Sequence, residues 1–273
     1  MKIDLHTHSR YSDGSETLEG LFQQAKAAGI THLGVVVVDH DTTAHHAEGR
    51  QLAAQYNIAF IPGVEISAYD FQRQRKVHML GYGFQGECPH IQALCAPLLA
   101  RRHAHSLWQV ARIQEASFAL DKEQALAFAR ESGTLYKQHI MNALTAEAYD
   151  AKNYQTLYRS LFKQAGVAAG DIRYVDAFAA LRAIHADGGV AVLAHPGQLD
   201  SFDIAEELVR EELDGIELIH PDHTPLHMER VQQLADKYSL IVTGGSDYHG
   251  RYGASVKLGQ YTIPSLQKPA FIK

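Results

Sequence analysis

The sequence predicts an α/β protein: a closed barrel of about seven strand–helix units with a small helical domain inserted. Three observations carry this. Short apolar runs alternate with amphipathic helical patterns at both ends of the chain, and repetition of that unit implies parallel strand pairing. The stretch 98–172 holds helical patterns and no good strand. No GxGxxG or Walker loop favours an open doubly wound sheet, so a TIM-like (β/α)7 barrel is preferred. The barrel is assigned to 1–97 and 173–273.

Ile3 to Leu5 reads as a short strand. Leu18, Leu21, Phe22, Ala25 and Ala28 follow the helical period, and Gly29 stops that helix. Gly34 to Val38 is an unbroken apolar run, the mark of a strand buried on both faces. A helix over Ala44 to Tyr56 follows, then strands near Ala59 to Pro62 and Val77 to Gly81. The insertion reads as helices at Ala104 to Ala116, Lys122 to Ser132, Ile140 to Ala148 and Thr156 to Ala165. The alternation resumes with a helix over Val175 to Ala186, closed by Gly188 and Gly189. Strands at Val190 to Ala194, Gly215 to Ile219 and Leu240 to Thr243 then alternate with helices at Glu206 to Glu212 and Pro225 to Tyr238.

The length of 273 residues suits one large domain with an insertion. A net charge of −6 speaks against a stable duplex nucleic-acid partner. It leaves a phosphate substrate open, because bound divalent cations reverse the local field. Cys88 and Cys95 form neither CxxC nor a disulfide framework and read as free thiols. No apolar leader and no run of about 18 apolar residues is present, so the expectation is a soluble cytoplasmic protein with no membrane contact. The 17 histidines are many, and histidine is the commonest metal ligand, so their placement matters more than their number.

Ligand-type residues recur where strands end. His6 and His8 follow Ile3 to Leu5; Asp39, His40 and Asp41 follow Val38; Glu65 follows Val64. His195 follows Ala194, and Asp247 and His249 follow Gly245; His78 lies within a strand run. In a parallel barrel the C-terminal strand ends share one face, where active sites are built. His-x-His on an extended segment turns both rings to one side. Imidazole–carboxylate sets suit manganese, iron or zinc. Ions about 3.5–4 Å apart activate a bridging water and clamp a phosphoryl group.

Together, Asp4-Leu5-His6-Thr7-His8, Ser12-Asp13-Gly14, Val38-Asp39-His40-Asp41-Thr42, Gly63-Val64-Glu65, His78, Ala194-His195-Pro196 and Gly245-Ser246-Asp247-Tyr248-His249 resemble the PHP (polymerase and histidinol phosphatase) family. The likeness is greatest to the bacterial branch that hydrolyses nucleoside 3′,5′-bisphosphates and trims short RNA. It spans nearly the whole chain. It implies a distorted seven-stranded barrel with two to three divalent ions (Mn, Fe or Zn). His6, His8, Glu65 and Asp247 would hold one ion. Glu65 would bridge to a second with His78 and His195, and Asp13, His40 and His249 would hold the third. The attacking group would be a hydroxide bridging the ions. One departure is Val38, where the family usually has Thr.

Other residues were weighed against ordinary structural roles. Asp4, Asp39 and Asp41 are expected to support the ligands, the last two by orienting His6 or His40. His45 and His46 open a helix and are expected to face solvent. His32 and His185 sit in ordinary contexts, and His220, His223 and His227 read as loop residues. Trp108 reads as core. His103 and His105 join Arg101 and Arg102 in a basic cluster. Arg101, Arg102, Lys137, His139 and Arg173 are the candidates for gripping substrate phosphate, since Arg forks match phosphate oxygens. The expected activity is hydrolysis of a phosphate ester of a nucleotide, most simply the 3′-phosphate of a nucleoside 3′,5′-bisphosphate, or of a short oligoribonucleotide from its 5′ end. Histidinol phosphate is the alternative substrate, and a non-catalytic interaction module the alternative of another kind.

Overall fold

The computed structural model describes residues 3–29 and 35–263; His32 and Gly34 lie outside them. In chain order the elements are α1 (Leu18–Ala27), β1 (Val35–Val37), α2 (His46–Tyr56), β2 (Phe60–Asp70), β3 (Arg75–Tyr82), α3 (Pro89–Glu115), α4 (Lys122–Phe128), α5 (Lys137–Leu144), α6 (Lys152–Phe162), β4 (Val175–Asp176), α7 (Ala177–Ala186), β5 (Val190–Leu193), α8 (Pro196–Leu199), α9 (Ala205–Arg210), β6 (Gly215–Ile219), α10 (Pro225–Tyr238) and β7 (Ile241–Gly244).

The strands form one curled sheet of order β1-β2-β3-β5-β6-β7, with β4 beside β2. The expected all-parallel pairing fails at β3, which is antiparallel to both β2 and β5. A tight turn joins β2 to β3 where the sequence shows no Gly or Asn-Gly signal. The Asp70 carboxylate makes the turn by accepting the backbone N–H groups of Gln72 and Arg73 at 3.0 and 3.1 Å. β2 also runs well past the predicted Pro62. Glu65 therefore lies inside a strand and not after one.

Ile3 to Leu5 is not a strand. Ile3 makes only an isolated bridge, to Ile263, and Thr7 bridges both Val37 and Tyr248. The buried Asp4 carboxylate replaces a ladder there, accepting the N–H groups of His6, Ser246 and Gly259. Thr7 thus lies between β1 and the segment that follows β7. Val175 and Asp176 leave the predicted helix for a two-residue strand. The Asp176 side chain then caps α7 by accepting Ala179 N–H at 3.0 Å.

Strand alternation sorts the core. Val36, Val38, Leu80, Tyr82, Val192 and Ala194 face inward with Ile3 and Leu5. Val64, Ile66, Met79, Leu193 and Ile216 face outward against α3, α7, α9 and α10. Val38 is part of the inner core. Helices of the central stretch enclose a core of their own, from Val110 and Ile113 to Phe162 and Ala168. α3 is far longer than predicted and runs without a break through residue 98. Trp108, expected in the core, is 44% exposed on α3 and stacks on His105. Cys88 and Cys95 are free and buried. No described helix is long and apolar enough to cross a membrane.

Candidate active site

Glu65 is the hub of a buried cluster at one rim of the sheet. Its Oε1 lies 2.8 Å from His78 Nδ1 and 2.8 Å from His195 Nε2. Its Oε2 lies 3.3 Å from His6 Nε2, His8 Nε2 and His40 Nδ1. Alternation explains the convergence. Val64 and Ile66 face outward, so Glu65 faces in; His78 shares its face of β3 with the inward Leu80 and Tyr82. Because β3 runs backwards, His78 reaches the rim from near the start of its strand.

Asp247 Oδ1 stands opposite Glu65, 3.4 Å from His6 Nε2 and 3.3 Å from His8 Nε2. Two ligand atoms held about 2.1 Å from one tetrahedral ion lie about 3.4 Å apart. The four histidine–carboxylate separations, from His6 and His8 to Glu65 and Asp247, match that spacing. A second grouping joins His8, Asp13, His40 and His249, a third joins His40, Glu65 and His78, and a fourth joins His6, His195 and Glu217. Among the described residues, buried ring nitrogens of His8, His40 and His195 have no hydrogen-bond partner. Buried polar atoms rarely stay unpaired, so the donor set fits divalent cations. All nine ligand candidates read from the sequence thus meet at one place.

Electrostatics agree. Burial works to push Glu65 up, but His40, His78 and His6 hold it well below the ordinary carboxylate range. Burial likewise works against a charged His6, yet Glu217, Glu65 and Asp247 lift it well above the usual imidazole value. His249 is half-buried; burial works to lower it, but Asp13 and Asp247 raise it to about 10. His40 goes the other way, to about 4, because burial outweighs the carboxylates near it. A carboxylate cluster that draws protons this strongly is one that positive ions complete.

Two glycines permit the close approach. A Cβ on Gly245 would sit 2.3 Å from His6 N, and one on Gly14 2.4 Å from His8 O. Asp39 holds the Ser9–Ser12 loop through Ser9 N, Ser9 Oγ and Ser12 Oγ. Asp41 accepts Ser67 N–H and the Arg102 guanidinium. Neither aspartate touches the His6 or His40 ring, contrary to expectation. Glu217 does that for His6, with Oε1 3.0 Å from Nδ1. Sequence reasoning missed Glu217. Its signal was a lone carboxylate in the run Gly215 to Ile219, facing opposite to Ile216 and Leu218. His220, read as a loop residue, is buried with Nε2 3.3 Å from Asp247 Oδ2. His45 and His46 are also buried, correcting the solvent-facing expectation. Their Nε2 atoms hydrogen-bond to the carbonyls of Val37 and Gly63, so they brace two strands. His185 pairs with Asp214, away from the cluster.

The cluster opens into a cavity of about 340 Å³. A neighbouring cavity of about 260 Å³ shares Asp13, His40, His78 and Gln138 with it. Arg102, Lys137, Lys76 and Tyr136 line this second space. Lys76 is paired with Asp171 at 2.5 Å, whereas Lys137 has no ion pair among the described residues and burial brings it down to about 8. Arg101, His139 and Arg173 line neither cavity. Arg101 and Arg173 are exposed and joined by a hydrogen bond between Nε and the backbone carbonyl, and His139 Nδ1 accepts Tyr136 N–H at the start of α5.

Comparison with known proteins places these features in context. The PHP domain family matches residues 4–238. The phosphoribosyl 1,2-cyclic phosphate 1,2-diphosphodiesterase of Eggerthella lenta is 50% identical over 262 residues, 96% of this chain and 99% of that one. The 3′,5′-nucleoside bisphosphate phosphatase of Chromobacterium violaceum is 27% identical over 252 residues, covering 90% of this chain and 87% of its own. A solved structure from Bifidobacterium adolescentis, described as a candidate metal-dependent phosphoesterase, superposes with a TM-score of 0.85 at 28% identity, over 97% of this chain and 93% of that one.

Proposed function

The chain belongs to the PHP domain family, and on that premise we propose that it is a metal-dependent phosphoesterase acting on a small phosphorylated ribose, first of all a ribosyl cyclic phosphodiester. The observation that carries the activity is the set of four 3.3–3.4 Å separations among His6, His8, Glu65 and Asp247. The 50% identity to the E. lenta enzyme favours the cyclic ester. A nucleoside 3′,5′-bisphosphate is the second reading, favoured by the C. violaceum relative. Short oligoribonucleotides and histidinol phosphate complete the range to be tested.

His6, His8, Glu65 and Asp247 would hold one ion; Glu65, His78 and His195 a second; Asp13, His40 and His249 a third. Two or three ions of manganese, iron or zinc would supply Lewis acidity and a nucleophile drawn from water at neutral pH. The chain's own side chains do the rest. Glu65 offers one oxygen to each side of the cluster. Gln138 Nε2 donates to Asp13 Oδ2 at 2.8 Å and fixes that carboxylate. Lys137 and Arg102 would bind a phosphate oxygen in the second cavity and orient the ester. Arg101, His139 and Arg173 stand outside that space and are weaker candidates. We read residues 1–97 and 173–273 as a distorted (β/α)7 barrel, and 98–172 as the inserted cap over its rim.

The experiment is a metal assay with a substrate panel. Purified protein with added Mn²⁺ should bind at least two equivalents, open the ring of 5-phosphoribosyl 1,2-cyclic phosphate with one water to give a phosphate monoester, and release phosphate on hydrolysis by a second. Its rate on adenosine 3′,5′-bisphosphate, oligoribonucleotides and histidinol phosphate then ranks the substrates. Binding of less than one equivalent with no turnover of any of the four overturns the proposal.

A further inference from the structure

β6 contributes no residue to the nine ligand candidates, yet its Glu217 touches two of them, and His220 just beyond it touches a third. Glu217 Oε1 meets His6 Nδ1 at 3.0 Å, and Oε2 accepts the backbone N–H of His195 at 2.8 Å. Just beyond the strand, His220 Nδ1 accepts Asp222 N–H at 3.1 Å. The proton of the neutral ring then sits on Nε2, which points at Asp247 Oδ2, 3.3 Å away. Asp247 is thereby divided, with Oδ1 toward His6 and His8 and Oδ2 toward His220.

Backbone conformation supports the same picture independently. His195 has φ 20° and Asp247 φ 47°, both left-handed and neither glycine. Such residues persist only where their surroundings hold them. The first is fastened through its amide to Glu217 of β6, the second through its carboxylate to His220 just after that strand.

We propose that β6 is the orienting strand of the metal centre, with Glu217 and His220 as positioning residues that set the His6 ring, the His195 backbone and the Asp247 carboxylate. This rests on the ligand reading given above. Fixing the far side of a ligand sets its tautomer and direction and strengthens its hold on the ion. The alternative is that Glu217, which lies close to His6 and His195, or His220 is itself a ligand.

The test measures Mn²⁺ stoichiometry and affinity by titration against a chelator, together with kcat and KM, for the full-length protein. His220→Phe and Glu217→Gln should keep every equivalent at saturating Mn²⁺, bind one of them about 10–100-fold more weakly, and lose kcat with KM within about twofold. His220→Gln, whose amide can still donate to Asp247, should recover to within about fivefold of wild type. Wild-type affinity and kcat in both His220→Phe and Glu217→Gln overturn the inference. So does an equal loss in His220→Gln and His220→Phe, and so does a whole equivalent missing from both at saturating metal. Absence of metal from the wild type would instead defeat the ligand reading on which this depends.

Discussion

The rim of the sheet and the helical stretch above it are built on opposite plans. At the rim, buried side chains from distant parts of the sequence are locked by one another and by backbone donors; Asp4, Asp39 and Glu217 each hold two or more groups. The helices from α4 to α6 pack mainly on themselves and reach the rim through few contacts, among them Gln138 to Asp13 and Tyr136 to the His40 carbonyl. Under the proposed function, chemistry would fall to the preorganised part and selection of substrate to the part with its own core.

Breaking the hub is the severest test of that division. Glu65→Gln keeps the shape but removes the charge shared by five imidazoles. It should strip bound metal and cut kcat by on the order of a thousandfold or more, as metal analysis and turnover would show. Full metal content in this variant would refute the hub.

Next in size is Arg102→Ala, at the seam between the regions. Arg102 bonds to the fully buried Asp41 at 2.7 Å and to Ser67 at 2.9 Å. Leaving Asp41 unpaired should cost about 3 kcal/mol in urea unfolding, and KM should rise while metal is retained.

Lys137→Met addresses the cap alone. Losing a charged contact to phosphate should raise KM about 10–30-fold with metal content unchanged. Burial, opposed by Asp171 and reinforced by Lys76, Lys163 and Arg102, sets Lys137 at about 8. The ammonium is present below that pH and lost above it, so wild-type KM should climb as pH passes 8. The variant's KM should stay flat there; a parallel climb would exclude Lys137.

The smallest effect belongs to the rim's bracing. Burial depresses His46 from 6.5 to about 3, so its neutral form is favoured in the fold. The stability this gives is present above pH 6.5 and drains away as pH falls toward 3. In chelator-treated protein, His46→Gln should lose less stability between pH 7.5 and 5 than wild type, by on the order of 1 kcal/mol. Equal slopes would show that His46 charges freely.

Much of the rim was legible because its pattern is local: an apolar run, then a ligand, repeated. What escaped was information carried by single side chains. The reversal of β3 hides in one aspartate that ties its own turn, where turn residues such as glycine are absent. Glu217 hides because one carboxylate in an apolar strand reads as noise until alternation shows which way it faces. His45 and His46 looked like a solvated helix start, yet strand carbonyls nearby bury and bond both. The candidates of the helical stretch were read by charge alone, and charge does not say which cation lines the cavity beside the cluster: Lys137 does, whereas Arg173 lines a separate one.

The backward strand also decides how the cap is delivered. Because β3 ends at the foot of the sheet, the chain must climb back before it can cover the rim, and α3 is that climb. Its 27 residues span about 40 Å, with Arg102 midway. The helix is a gauge rod: adding or removing one turn would move everything beyond it by about 5.4 Å. Under the proposed function, reach over the metal cluster would therefore be set by a helix length, separately from the residues that hold the ions.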